Sequence, residues 1–289
     1  MTRKKLMQFG DAEIPAAGFD DAGIVILPLC YENAPSYGAG SKDGPLHILN
    51  ASAQLENIDE ETLTDWRKAG IHTLKPLFPS DDPEKAVNEM KKAASAVLKK
   101  NKFLLSLGGD HAISIGPISA AAEIYPDIGV LQIDAHLDLR NTWNGSKYNH
   151  ACVMLRVADD LNLPFTQVGI RSFSPEEADY VEKNDLKPFY AHRIDPSDDY
   201  WRKKVVHSLP EKVYITIDLD GLDPSVLPGT GTPEPGGLSY RQLVELIKAV
   251  GKEKKVIAAD INELAKIKGS QVSEYTAAKI AAKIFIHCL

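Results

Sequence analysis

The sequence predicts an α/β fold in which one mainly parallel sheet carries helices on both faces. Short apolar runs alternate with longer helical patterns along the chain, the rhythm of repeated strand and helix units. Acidic and histidine motifs follow several of the apolar runs, where the strands of a parallel sheet end in loops. No linker rich in Pro, Gly or Ser and no solenoid repeat interrupts the pattern, so residues 1–289 are expected to form one domain.

Taken in order, strands are expected near 23–29, 103–107, 129–133, 165–170, 187–191, 213–217 and 256–261, with a helix near 84–100. Ser174-Pro175-Glu176-Glu177 marks a helix start. It has a capping hydroxyl, a proline where no N–H is needed, and a Glu placed to reach back to the cap. Ser239 to Gln242 repeats that box, and Gly251 is expected to close the helix that follows. The Pro- and Gly-dense stretch from Asp223 to Gly237 follows the 213–217 run directly and is expected to wall an active site.

Three motifs carry the chemistry. Gly108-Gly109-Asp110-His111, Asp134-Ala135-His136-Leu137-Asp138 and Asp218-Leu219-Asp220 each follow or end an apolar run. In a strand, residues i, i+2 and i+4 share a face, so Asp134, His136 and Asp138 are expected to point together, as are Asp218 and Asp220. An isolated Asp after a strand most often makes a turn or caps a helix. So many carboxylates at the ends of apolar strands would instead repel one another, and cations resolve that conflict. The six donors, His111, Asp134, His136, Asp138, Asp218 and Asp220, are enough for two divalent ions. The glycines of Gly108-Gly109 fit no phosphate-binding pattern and are expected to turn the chain beside the metals. His47, His72, His192, His207 and His287 have no motif around them and read as surface or core residues.

Composition excludes several classes. With 44% apolar residues the chain can bury a large core and is not disordered. Three cysteines without a Cys-x-x-Cys pair suggest neither a disulfide framework nor a zinc knuckle, which fits a reducing cytoplasm. Arg3, Lys4 and Lys5 are not followed by the apolar run of a secretory signal. The longest apolar stretch, Ile24 to Cys30, is broken by Pro28 and falls far short of the ~20 residues that span a bilayer. A net charge of -7 argues against general affinity for nucleic acid.

These motifs, with Pro228-Gly229-Thr230-Gly231-Thr232-Pro233 and the extension of the Asp218 motif to Asp223-Pro224, resemble the ureohydrolases, the family of arginase and agmatinase. The resemblance covers nearly the whole chain. It implies an αβα sandwich with a central parallel sheet, a binuclear manganese centre, and hydrolysis of a guanidino compound to urea and an amine. By resemblance, one ion would take His111, Asp134, Asp138 and Asp218, and the other Asp134, His136, Asp218 and Asp220. Carboxylates with two imidazoles and no thiolate suit Mn²⁺ better than a thiolate zinc site, while zinc, cobalt and nickel remain competitors. Two ions would make a nucleophile of water at neutral pH, which a poorly electrophilic guanidinium needs. Asp138 is then the candidate to pass a proton to the departing amine, Glu263 to grip the guanidinium by paired hydrogen bonds, and His150 to bind substrate or shuttle a proton near the entrance. The family further implies a small cationic substrate and assembly into trimers or hexamers.

Around the site, the segment from Gly145 to Met154, together with Tyr31-Glu32-Asn33, Ser36-Tyr37 and Gly44-Pro45, looks more like agmatinases than arginases. Arginases usually follow the corresponding histidine with Gly and surround it with residues that bind an α-carboxylate; here Ala151 stands in that place. Agmatine is therefore the expected substrate, with putrescine and urea as products. Guanidinobutyrate, arginine or formimidoylglutamate are alternatives, as is a metal-binding protein without catalysis. Ala265-Lys266 departs from the proline that relatives usually carry after Glu263-Leu264.

Overall fold

The computed structural model describes residues 7–10 and 16–289; the basic N-terminal triplet lies outside them. Among the described residues eight strands form one sheet: β1 (Ile24–Leu29), β2 (Ile71–Thr73), β3 (Phe103–Gly108), β4 (Ile128–Ile133), β5 (Phe165–Ile170), β6 (Phe189–Tyr190), β7 (Lys212–Asp218) and β8 (Lys255–Asn262). Their order across the sheet is β2-β1-β3-β8-β7-β4-β5-β6, and every pairing is parallel. Helices α1 (Gly44–Ser52), α2 (Pro83–Leu98), α3 (Ile115–Ile124), α4 (Val153–Leu155), α5 (Pro175–Lys183), α6 (Tyr200–Ser208), α7 (Tyr240–Glu253) and α8 (Val272–Cys288) complete the chain.

Strand alternation splits the core into two layers. Ile24 and Ile26 of β1 join Phe103 and Leu105 of β3 and the apolar faces of α1, α7 and α8. Val25 and Leu27 point the other way, with Leu104, onto Val87 and Met90 of α2 and Ile118 of α3. The sheet is thus buried on both faces, which is why its strands read as mainly apolar runs. The result is the three-layer αβα sandwich expected from the sequence.

Both capping boxes form: Ser174 Oγ accepts from Glu177 N–H while Glu177 reaches back, and Ser239 does the same with Gln242. The expected stop at Gly251 does not occur, because α7 continues to Glu253. A Cβ on Gly251 would sit 1.9 Å from the His287 carbonyl oxygen, so the residue lets the end of α7 close against the end of α8. The short edge strand β2 carries too few residues to show in the apolar pattern.

Lys283 of α8 is buried and pairs with the equally buried Asp59, with Glu60 at 3.0 Å. Burial alone would raise the Asp59 carboxyl; the ammonium outweighs it and holds the group well below its usual range. That contribution is present above the ordinary carboxylate range and is lost as pH falls through the lowered value. Lys283→Met leaves Asp59 buried and unpaired and should cost ~3–5 kcal/mol near neutral pH. Urea unfolding measures this, and a loss under ~1 kcal/mol would show that Asp59 finds another partner.

Candidate functional site

The four adjacent strands β3, β8, β7 and β4 bring their carboxyl ends to one crevice. The chain leaves β3 for β4 at a distance, and β7 and β8 return later to fill the gap, so the crevice lies where the strand order switches. His111 follows β3 in a tight turn, Asp134 directly follows β4, Asp218 ends β7, Asp220 sits in the turn Leu219–Gly221, and Glu263 follows β8. They border a cavity of about 340 Å³ lined by His111, His136, Asp138, His150, Asp218, Asp220 and Glu263, with Asp134 fully buried at the cluster. All eight residues singled out from the sequence therefore meet in one place. None of the five motif-free histidines lines the cavity.

The strand argument for the Asp-x-His-x-Asp motif does not hold in detail. β4 ends at Ile133, so Asp134, His136 and Asp138 lie in irregular chain beyond it, and Asp138 adopts φ +53°. Hydrogen bonds, rather than pleat alternation, bring the three together. Glu263 likewise sits at φ +65°. Left-handed backbone at two non-glycine site residues is local strain that the surrounding contacts hold: the Asp138 carbonyl accepts from Met154 and Leu155 N–H at 3.0 and 3.2 Å, and Glu263 N–H donates to Gly109 O at 2.7 Å. Nor do Gly108 and Gly109 serve a sharp turn of positive φ. A Cβ there would lie 2.0 Å from Asn262 Oδ1 and 1.8 Å from Tyr31 O, so these glycines permit close packing beneath the site.

The aspartates divide their oxygens between two tasks. Asp134 Oδ1 accepts from His136 N–H at 2.6 Å, Asp218 Oδ1 from Asp220 N–H at 2.9 Å, and Asp220 Oδ1 from Ala135 N–H at 3.1 Å. The turn and capping role of such residues is thus real. The other oxygens face the imidazoles. His111 Nδ1 lies 3.1 Å from Asp134, 2.9 Å from Asp138 and 3.4 Å from Asp218, and His136 Nδ1 lies 3.1 Å from Asp220 Oδ2. Two groups of donors result, His111 with Asp134 and Asp218, and Asp134 with His136 and Asp220; within each group the ligand atoms lie within 4.8 Å of one another.

These residues fit a pair of cations. Thr216 spends its hydroxyl proton on Asp260 Oδ1 at 2.6 Å, so at 2.8 Å it accepts from His111 Nε2–H. The Nδ1 lone pair is then left buried among carboxylate oxygens with no aligned hydrogen bond. A positive ion between them satisfies all of these atoms. The electrostatics point the same way: burial, then the charges of Asp220 and Asp134, push Asp218 well above the usual carboxylate range. Burial and the Asp134 charge likewise push Asp138 up to about 7. Burial and Asp110 push Glu263 far up.

Sequence reasoning passed over Thr216 and Asp260. Asp260 is an acid that follows the apolar run 256–259 and is buried within β8, which was a usable signal. Tyr214 donates to its Oδ2 at 2.7 Å and Asn262 to its Oδ1 at 2.6 Å. His150 stands at the cavity wall with Nε2 2.8 Å from Ser36 Oγ; burial lowers its pKa to about 4, so it is neutral at pH 7.

Among the described residues, no helix is long and apolar enough to cross a membrane. Residues 22–287 match the family model described as the arginase family. The chain is 37% identical to the N(1)-aminopropylagmatine ureohydrolase of Synechocystis sp., covering 96% of this chain and 92% of that one. It is 32% identical to an agmatinase of Pyrococcus horikoshii, with 93% of each covered. Among solved structures, the agmatine ureohydrolase of Thermoplasma volcanium superposes with a TM-score of 0.89 at 30% identity, over 98% of this chain and 94% of that one. The parallel sheet, the carboxylate and imidazole cluster at its switch point and the match over nearly the whole length agree: the chain belongs to the arginase family and is a ureohydrolase, a hydrolase of guanidino carbon–nitrogen bonds.

Proposed function

We propose that the protein is a manganese-dependent ureohydrolase that cleaves agmatine to urea and putrescine. The observation that carries this reading is the charge of the cavity. Among the described residues its one lining Lys or Arg is Arg140, which is stacked 4.3 Å over Trp143 and lies 3.8 Å from the buried Glu177. Among the described residues no Lys or Arg is left to receive a substrate carboxylate, whereas Glu263 offers a guanidinium a carboxyl group whose ionised form a neighbouring cation favours. The related enzymes named agmatinase support the same reading.

Each residue takes a role from its place. His111, Asp134, Asp138 and Asp218 would hold one ion, and Asp134, His136, Asp218 and Asp220 the other; manganese suits an oxygen-rich set without thiolate. When bound, the two ions would supply Lewis acidity and a water of lowered pKa. Glu263 Oε1 accepts His111 N–H at 2.7 Å, leaving Oε2 beside Gly231 at the cavity to receive guanidinium N–H groups. Asp138 borders the same space, placed to give the departing amine its proton. His150, neutral and held by Ser36, accepts or relays a proton at the mouth rather than adding positive charge where a cation must enter.

Glu263→Gln keeps the shape and removes the charge, so charge-assisted bonds contributing ~1.5–3 kcal/mol are lost. The expected result is at least a tenfold fall in kcat/KM with metal content unchanged, and equal efficiency would remove Glu263 from the substrate site. Urea release across a panel of guanidino compounds tests the function as a whole; a metal-loaded protein inert on all of them would refute it.

A second reading is favoured by one feature. The cavity wall carries the exposed aromatic rings of Tyr37 and Phe173. Aromatic faces of this kind accept a longer polyamine tail through cation–π contact. Agmatine extended by an aminopropyl group is thus the alternative substrate, the one named for the Synechocystis relative. A panel containing both amines ranks them.

A further inference from the structure

Arg171 follows β5 and belongs to no motif of the site, yet its guanidinium is surrounded by backbone carbonyls of the metal loop. Nη2 donates to Asp220 O at 2.6 Å, Glu234 O at 2.7 Å and Leu222 O at 3.3 Å. Nη1 donates to Gly169 O at 2.9 Å and Gly221 O at 3.5 Å, and Nε to Pro235 O at 3.1 Å. All three nitrogens are committed to main chain. A rigid planar fork with five donors can hold so many acceptors at once, and a lysine cannot.

Its own backbone is tied to the other side of the cluster. Arg171 N–H and Ser172 N–H both donate to Ala135 O, at 2.8 and 3.0 Å, and Ser172 pairs with His136 as an isolated parallel bridge. Ala135 N–H in turn holds Asp220 Oδ1. The loop leaves room for this arrangement: a Cβ on Gly237 would stand 2.6 Å from Arg171 Nη2, and one on Gly221 would stand 2.8 Å from Asp134 N. Asp134, His136 and Asp220, one of the two donor groups, therefore converge on Arg171, the Asp220 loop through its guanidinium and the chain between Asp134 and His136 through its main chain. The His111, Asp134 and Asp218 group rests on different supports, the Thr216 hydroxyl and the Asp260 carboxylate behind it.

We propose that Arg171 is a positioning residue that sets the His136 and Asp220 half of the binuclear centre, clasping the Asp220 loop and the 234–235 segment against the end of β5. The proposal rests on the two-metal reading of the site. Loss of the clasp frees Asp220 to shift with its loop, while His111 and Glu263 keep their places. The two metal positions should therefore separate in affinity, and turnover should fall with little change in KM, because Glu263 still receives the guanidinium.

The test is chelator extraction of the full-length, manganese-loaded protein, counting retained metal by elemental analysis, with kcat and KM for agmatine measured alongside. Arg171→Lys is expected to release one ion per chain at a chelator concentration at least tenfold lower than the wild type and to hold the other as the wild type does. Arg171→Met, which keeps the length of the side chain and removes every N–H donor, is expected to show the same split. Both ions retained as in the wild type, or both weakened equally alongside a lowered Tm, would overturn the proposal and reduce Arg171 to general stability. A wild type that holds fewer than two manganese ions would instead defeat the two-metal reading itself.

Discussion

Asp134→Asn is expected to strip both metal ions and abolish turnover, and Asp218→Asn, at the other residue shared by both proposed ligand sets, is expected to leave both ions poorly held. Asp134 belongs to both clustered donor groups, and it is fully buried. One of its oxygens lies 3.1 Å from His111 Nδ1 and the other 3.5 Å from His136 Nδ1. An amide offers a neutral oxygen on one side and an N–H donor on the other, so one cation loses a ligand and meets a repulsive group. Metal activation of this kind contributes several kcal/mol, so the rate should fall on the order of 10³-fold or more. Lys147→Ala is the control: its ammonium is partnered by Asp160 on the exposed loop nearby, and metal content should not change. Two ions retained in Asp134→Asn, with activity intact, would refute the binuclear assignment.

Agmatine is expected to be preferred over arginine by roughly 10³-fold in kcat/KM, because among the described residues the cavity offers no free Lys or Arg to pair with a buried carboxylate. The two substrates differ by a single α-carboxylate. Burying that anion without a partner is costly, and here it would enter a cavity already bordered by Asp138, Asp218, Asp220 and Glu263. Arg140 could answer it only by leaving Trp143 and Glu177. Ser174, the obvious hydroxyl nearby, already donates to Glu177 Oε2 at 2.9 Å. Arginine turned over as efficiently as agmatine would refute the agmatinase reading and leave the ureohydrolase assignment standing.

The sequence by itself determined the layered fold and the identity of the clustered residues. Strands buried on both faces are mainly apolar along their length rather than alternating, and β1, β3, β4 and β7 lie within a residue or two of the expected bounds. Acids and histidines directly after such strands stand out because burying them without a counter-charge is unfavourable. The pleat periodicity that first grouped Asp134 with Asp138 was the wrong reason for the right grouping, since the chain has left the sheet by then. Gly251 misled in a similar way, because a glycine that relieves packing between two helices looks the same in sequence as one that ends a helix.

Only the tertiary structure decided how the site is braced and charged. β7 and β8 lie between β3 and β4 though they come last in the chain, and that placement sets Thr216 and Asp260 behind His111 and directs the Nδ1 lone pair at three carboxylates. Arg171 meets carbonyls up to 64 residues away in sequence, and Arg140 is withdrawn from the substrate by Trp143 and Glu177. Hydrogen bonds to main-chain carbonyls depend on where the backbone runs and not on which side chain it carries, so they leave no residue pattern in the sequence. They exist only once the strands have been put in order.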